Sequence, residues 1–122
     1  LRAIKEDTVV IEHLDYSVLS ALREVMEDEY PLLLETFLSD SAVRVDHLHQ
    51  VRDAKVLGQA AHSFKGSSSN MGAVYLAELC RELEERATRG PFQGIEDLVN
   101  RIGIEFGTVR KLFEDERQRC VP

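Results

Sequence analysis

Hydrophobic residues recur at three- and four-residue spacing along most of the chain, the period of helices that each bury one stripe. Behind Asp15, a residue suited to cap a helix, Val18, Leu19, Leu22, Val25 and Met26 form the first stripe. Pro31 suits a first helical turn, and Tyr30, Leu33, Leu34, Phe37, Leu38, Val45 and Leu48 carry a longer stripe to about Arg52. Asp53 can cap a third helix through Leu57, Ala61, Phe64 and Met71, which Gly72 closes. A fourth runs from about Ala73 through Leu76, Leu79, Cys80, Leu83 and Ala87 to Gly90-Pro91, a left-handed cap followed by a breaker. A fifth carries Ile95, Leu98, Val99, Ile102, Phe106, Val109, Leu112 and Phe113, and tolerates Gly103 and Gly107. No alternating strand pattern competes. The expected fold is all-α, an antiparallel up-and-down four-helix bundle over residues 15–119 with a short N-terminal helix capping one end. Residues 1–14 have no sustained period and read as a lead-in, with Val9 and Ile11 packing against the body.

The chain's 122 residues suit one domain, and 43% hydrophobic content supplies a core without metals or disulfides. Fifteen Lys and Arg against 22 Asp and Glu give a formal charge of −7, which disfavours nucleic acid as a partner. No apolar run is long enough to span a membrane and no signal-like leader opens the sequence, so a cytoplasmic setting is expected. Cys80 and Cys120 have neither the number nor the spacing of a disulfide framework or zinc site, and both read as reduced thiols. Leu1 in place of an initiating methionine points to a trimmed piece. The short lead-in nevertheless favours a free-standing domain over one cut from a longer protein.

Chemistry concentrates on the third helix. At about 100° per residue from Leu57, the residues Ala60, Ala61, Phe64, Ser68 and Met71 fall within about 60° and define its buried face. His62 falls at about 140°, with Gly58, Lys65, Gly66 and Ser69 between about 80° and 180°, and so points to solvent. A neutral imidazole is a competent nucleophile near neutral pH. Phosphorylating it creates a dianion that Lys65, one turn away, could partly neutralise, and Ser69 could add a hydrogen bond through water. The small Ala60, Ala61 and Ser68 read instead as helix packing, with Ser68 bonding back to a backbone carbonyl. Gly58 and Gly66 lie on the outward side, where glycine weakens a helix by about 1 kcal/mol. Clearance for a docking partner over Gly58, Gln59 and Gly66 explains them. Residues 53–72 hold Lys55 and Lys65 against Asp53 while the remainder carries −8, so an acidic partner site could dock there.

Together His62, Lys65, Gly66, Ser67, Ser68, Gly72 and Ala73, followed by Leu76, Leu79-Cys80 and Leu83-Glu84, closely resemble the histidine-containing phosphotransfer (HPt) domains of multistep phosphorelays. The similarity covers about Asp15 to Phe113. It implies a four-helix bundle whose His62 accepts a phosphoryl group from a receiver-domain aspartate and passes it to another. The implied partners are the receiver domains of a hybrid histidine kinase and of a response regulator, and the chain is expected to be a monomer. It also implies that the chain binds no cofactor or metal of its own, Mg²⁺ coming with the partner's acidic pocket. No nucleotide-binding loop is present in the sequence, so ATP is not the expected direct donor, and "enzyme" is partly a convention for such a phosphocarrier.

Other histidines carry less. His47 and His49 are two apart and face different sides of a helix, a poor arrangement for a metal, and His13 has no partner in reach by sequence. The acidic runs Glu24 to Glu29 and Glu82 to Glu85 read as solvated faces. The rival function is a non-transferring receiver-binding module, whose signature would be a replaced histidine. A ferritin-like metal bundle would need inward Glu-x-x-His pairs, and none is found.

Overall fold

Asp15 begins the helical body: its Oδ1 accepts hydrogen bonds from the Ser17 backbone N–H at 3.0 Å and the Ser17 hydroxyl at 2.6 Å. These bonds satisfy a donor that a helix start leaves free and hold the Asp15 carboxyl below its ordinary range. In a computed structural model, which describes residues 4–5 and 8–120 and side chains from Val10 onward, five α-helices follow. They are α1 (Tyr16–Met26), α2 (Tyr30–Gln50), α3 (Ala54–Asn70), α4 (Val74–Arg89) and α5 (Ile95–Cys120). A turn of 3-10 helix over Glu27–Glu29 links α1 to α2, entered through Glu27 at φ 50°.

Four long helices form the bundle. The most extensive packing joins α3 to α4, then α2 to α5, α4 to α5 and α2 to α3, which closes the ring. Cross-helix contacts give an antiparallel order. Tyr30 and Phe37 of α2 meet Glu116 and Phe113 of α5, and Arg44 of α2 reaches Ser63 of α3. Phe64, Leu83, Ile102 and Phe113 are among the fully buried side chains that fill the centre. Burying each such side chain is worth about 1.5–3 kcal/mol. Two carboxylates enter this interior. Glu116 is held by the Tyr30 hydroxyl, which donates to Oε2 at 2.9 Å, and by Arg119, which donates to Oε1 at 3.0 Å. Burial, reinforced by Glu116, pushes the Tyr30 phenol well above its ordinary range. The pairing draws α5 on to Cys120, beyond the apolar stripe that ends at Phe113.

The short α1 lies across one end of the bundle. The Asp15 N–H donates to the Gly72 carbonyl at 2.8 Å, in the turn between α3 and α4. Gly72 has φ +74°, and a Cβ there would sit 3.0 Å from the Asp15 carbonyl oxygen and 3.2 Å from Val18 Cβ. Both the left-handed backbone and the close approach require glycine. Val25, expected on the buried stripe, is 77% exposed, because the contact face of α1 is set by Leu19, Leu22 and Met26 and Val25 falls about 120° from Leu19, at its margin.

The lead-in adds an element the sequence pattern did not indicate. Strands β1 (Ile4–Lys5) and β2 (Thr8–Val9) pair antiparallel, with Ile4 opposite Val9. The expected packing of the Val9 side chain lies outside the described residues. Ile11 is half-buried and Leu14 buried. His13 finds a partner that sequence distance concealed: its Nδ1 lies 2.7 Å from Oε2 of the buried Glu105 on α5. Desolvation raises the Glu105 carboxyl above its ordinary value, against the opposing pull of His13. Among the described residues no helix is long and apolar enough to cross a membrane.

Candidate functional site

Helix α3 starts where Asp53 Oδ1 accepts from the Lys55 and Val56 N–H groups at 2.8 and 3.2 Å. Leu57, Ala61, Phe64 and Ser68 then face the core, leaving His62 outward with 66% of its side chain exposed. Opposite it, in the antiparallel register, stands Glu84 of α4. Its Oε2 lies 2.7 Å from His62 Nδ1, and its Oε1 accepts from Lys65 Nζ at 3.1 Å. One carboxylate thus ties together the two residues singled out on α3.

The electrostatics of this trio follow from its geometry. Desolvation against the helix seam works to raise the Glu84 carboxyl, but the hydrogen bonds and charges of Lys65 and His62 outweigh it and hold the group below its ordinary range. An ionised carboxylate only accepts hydrogen bonds, so a neutral His62 must carry its proton on Nδ1. That tautomer leaves a lone pair on Nε2, the ring nitrogen away from Glu84. The arrangement is an oriented nucleophile with a cation one turn along the same helix.

Grooves flank the trio along the α3–α4 seam. Towards the start of α3, one of about 720 Å³ is lined by Lys55, Gly58, Gln59, His62, Glu84, Thr88 and Phe92 among others. Towards the end of α3, another of about 420 Å³ is lined by Lys65, Gly66, Ser69, Asn70, Val74 and Arg81 among others. On the α2 side Arg44 Nη1 donates to Ser63 Oγ at 2.9 Å, placing a further cation next to the His62 turn.

Gln59 and Gly66 are exposed as the helical wheel indicated, and a Cβ on Gly66 would meet nothing within 4 Å. Gly58 corrects the expectation. It is buried where α3 crosses the end of α4, and a Cβ there would lie 3.4 Å from Thr88 Oγ1 and 3.7 Å from Ala87 Cβ. Its small size serves close helix approach and shapes the groove floor. Ser69 is exposed beside Lys65 and Gly66 and makes no direct bond to His62. Ser68 also departs from expectation, since its buried Oγ has no hydrogen-bond partner among the described residues.

The sequence places Glu84 in a solvated acidic run and among the residues that carry the HPt resemblance, without a site role. The signal that finds it is the hairpin register: α3 and α4 run antiparallel from the turn at Gly72, so Gly58 meets Thr88 and His62, four residues later, meets Glu84, four residues earlier. Phe92 had no sequence signal, lying in the loop after Gly90-Pro91.

A family model described as Hpt domain matches residues 32–117 of the chain. A crystal structure of histidine-containing phosphotransfer protein B (HptB) from Pseudomonas aeruginosa PAO1 is 56% identical in sequence. It superposes with a TM-score of 0.84, covering 88% of this chain and 96% of that one. No match is found among curated proteins.

Proposed function

The chain belongs to the Hpt domain family, whose members carry out histidine phosphotransfer in phosphorelays, and from that premise we propose that His62 is the residue that carries the phosphoryl group. The observation that supports this reading is the outward imidazole whose Nδ1 is held by Glu84 at 2.7 Å, leaving Nε2 to react.

In this reading a receiver domain presents an aspartyl phosphate over His62. The Nε2 lone pair attacks phosphorus as the bond from phosphorus to the aspartyl oxygen breaks, and the partner's carboxylate takes the leaving electron pair. The ring keeps its Nδ1 proton and becomes a phosphoimidazolium, whose positive charge forms beside the Glu84 carboxylate. No proton has to move. On the return, the aspartate of a second receiver attacks phosphorus and expels a neutral imidazole, a better leaving group than an imidazolate. Lys65 is shared: it pairs with Glu84 in the empty protein and can turn to the phosphoryl oxygens once they arrive.

Phosphoryl transfer depends mostly on alignment and charge neutralisation, and the Mg²⁺ it needs belongs with the receiver's acidic pocket. This chain contributes the nucleophile, the cation and the docking face around Gln59 and Gly66, with Gly58 shaping the groove floor. Ser69, two turns beyond His62 on the outward side, would add a hydrogen bond to the phosphate through water. The partners in this reading are receiver domains of a hybrid kinase and of a response regulator, met by a monomer.

Incubation with phosphorylated receiver should place acid-labile, alkali-stable phosphate on the wild-type chain and none on His62→Gln, while the far-UV helical signal stays the same. A His62→Gln protein that still takes up phosphate overturns the assignment. A wild-type chain that binds the phosphorylated receiver without acquiring phosphate is a sequestering module instead.

A further inference from the structure

The groove that His62 shares with Glu84 continues past the reactive trio. The buried Gly58 and Ala87 line it with the exposed Ala54, and Phe92, in the loop after α4, lines it as well. The Phe92 side belongs to the loop between α4 and α5, and the residue is 62% exposed. Its surroundings hold the loop in place. The Gly90 N–H closes α4 on the Arg86 carbonyl at 2.8 Å, and Arg86 Nη1 donates to the Gln93 carbonyl at 3.2 Å. The Ile95 N–H bonds back to the Phe92 carbonyl at 3.3 Å as α5 begins. An aromatic ring is therefore presented to solvent on a braced loop, with little ordering left to do on association.

A partner that delivers phosphate to His62 has to cover this region. A standard protein interface buries about 800 Å² per partner, which as a disc has a radius of about 16 Å. Lys55, at the groove rim, is seven residues before His62, about 10 Å along the helix at 1.5 Å per residue. The groove is thus continuous with the docking face and falls within such a footprint. Lys55 sits in this groove with Glu84, and Lys65 and Arg81 outnumber Glu78 in the neighbouring one, which leaves cations on the seam to meet the acidic pocket of a receiver.

We infer that Phe92 is a partner-discriminating anchor: it packs against an apolar patch on the receiver domain, beside that domain's aspartate pocket, and sets which receivers exchange phosphate with this chain. A large exposed aromatic side chain that a partner covers can carry a large share of the binding energy. Phe92 touches no reacting atom. It acts on association, whereas Lys65 acts on the moving phosphoryl group. The inference rests on the reading of His62 as phosphoacceptor.

The test measures single-turnover transfer from a panel of phosphorylated receivers as a function of receiver concentration, for wild type, Phe92→Ala and Phe92→Leu. Phe92→Ala should raise the half-saturating concentration about tenfold for the preferred receivers and less for the others. The rate at saturation and labelling by phosphoramidate should stay within about twofold of wild type, and Phe92→Leu should recover most of the loss. Unchanged half-saturation for every receiver that loads the wild type overturns the anchor and leaves the His62 reading standing. A fall confined to the saturating rate also overturns it. Failure of every receiver to load the wild type sinks both.

Discussion

Gly66→Leu separates docking from folding. Glycine in a helix interior is about 0.8–1 kcal/mol less favourable than alanine, and leucine is close to alanine. A Cβ at this position meets nothing within 4 Å, so most of that gain should appear as stability. For a chain of 122 residues it amounts to a rise of about 3–5 °C in Tm. The transfer reaction should move the other way. Gly66 lies four residues after His62 and therefore on the same face, one turn along. A leucine there stands up where the receiver must settle for its phosphorus to come within about 3–3.5 Å of Nε2. A misplacement of about 1 Å can lower a rate about 10²-fold, and that is the expected loss. Phosphoramidate, which needs only an accessible imidazole, should label the variant at the parent rate. Both reactions and the melting curve come from one preparation. A more stable Gly66→Leu protein that exchanges phosphate normally with its receiver would refute the reasoning and move the docking surface elsewhere.

Lys65→Ala should slow single-turnover transfer about 10-fold to 100-fold with a smaller change in receiver affinity, because its charge acts on the moving phosphoryl group in the docked complex. Equal rates would leave Lys65 as no more than a salt-bridge partner of Glu84. His13→Ala removes the hydrogen-bond partner of the buried Glu105 and should destabilise the protein by about 1–3 kcal/mol at pH 7. Because the Glu105 carboxyl is raised in the folded state, the penalty belongs to its ionised form, is full above the raised value and fades as pH falls through it. Melting curves should therefore converge for parent and variant towards pH 4.5, the ordinary value of the carboxyl, and a gap independent of pH would contradict the pairing.

The helices and the outward aim of His62 were legible because both follow from period alone. Leu57, Ala61 and Phe64 set the buried face of α3, and the wheel then has one place for His62. A single wheel does not contain the neighbour. Gly58 lies at the margin of the outward face and is buried because α4 crosses there. Val25 lies at the margin of its stripe, and α1 turns Leu22 and Met26 to the body instead. Glu84 is one of three glutamates within four residues, and only the α3–α4 register selects it over Glu82 and Glu85. His13 and Glu105 are 92 residues apart, and their pairing is a product of the fold. The same is true of Tyr30 with Glu116, a bond that makes a buried carboxylate look like a surface one in sequence.

The carboxylate of Glu84, shared between His62 and Lys65 across α3 and α4, gives the empty site a near-balanced charge. In the proposed reading, a phosphoryl group on His62 adds a net charge of about −1, its two negative charges being offset in part by the imidazolium that carries it. His62 is outward, so the added group changes the potential of this face and not the packing of the core. A partner senses the difference over about a Debye length, ~8 Å at physiological salt, before its surface makes contact. On that reading the signal is written as charge on an exposed face of the bundle, and the core has nothing to rebuild when the phosphoryl group leaves.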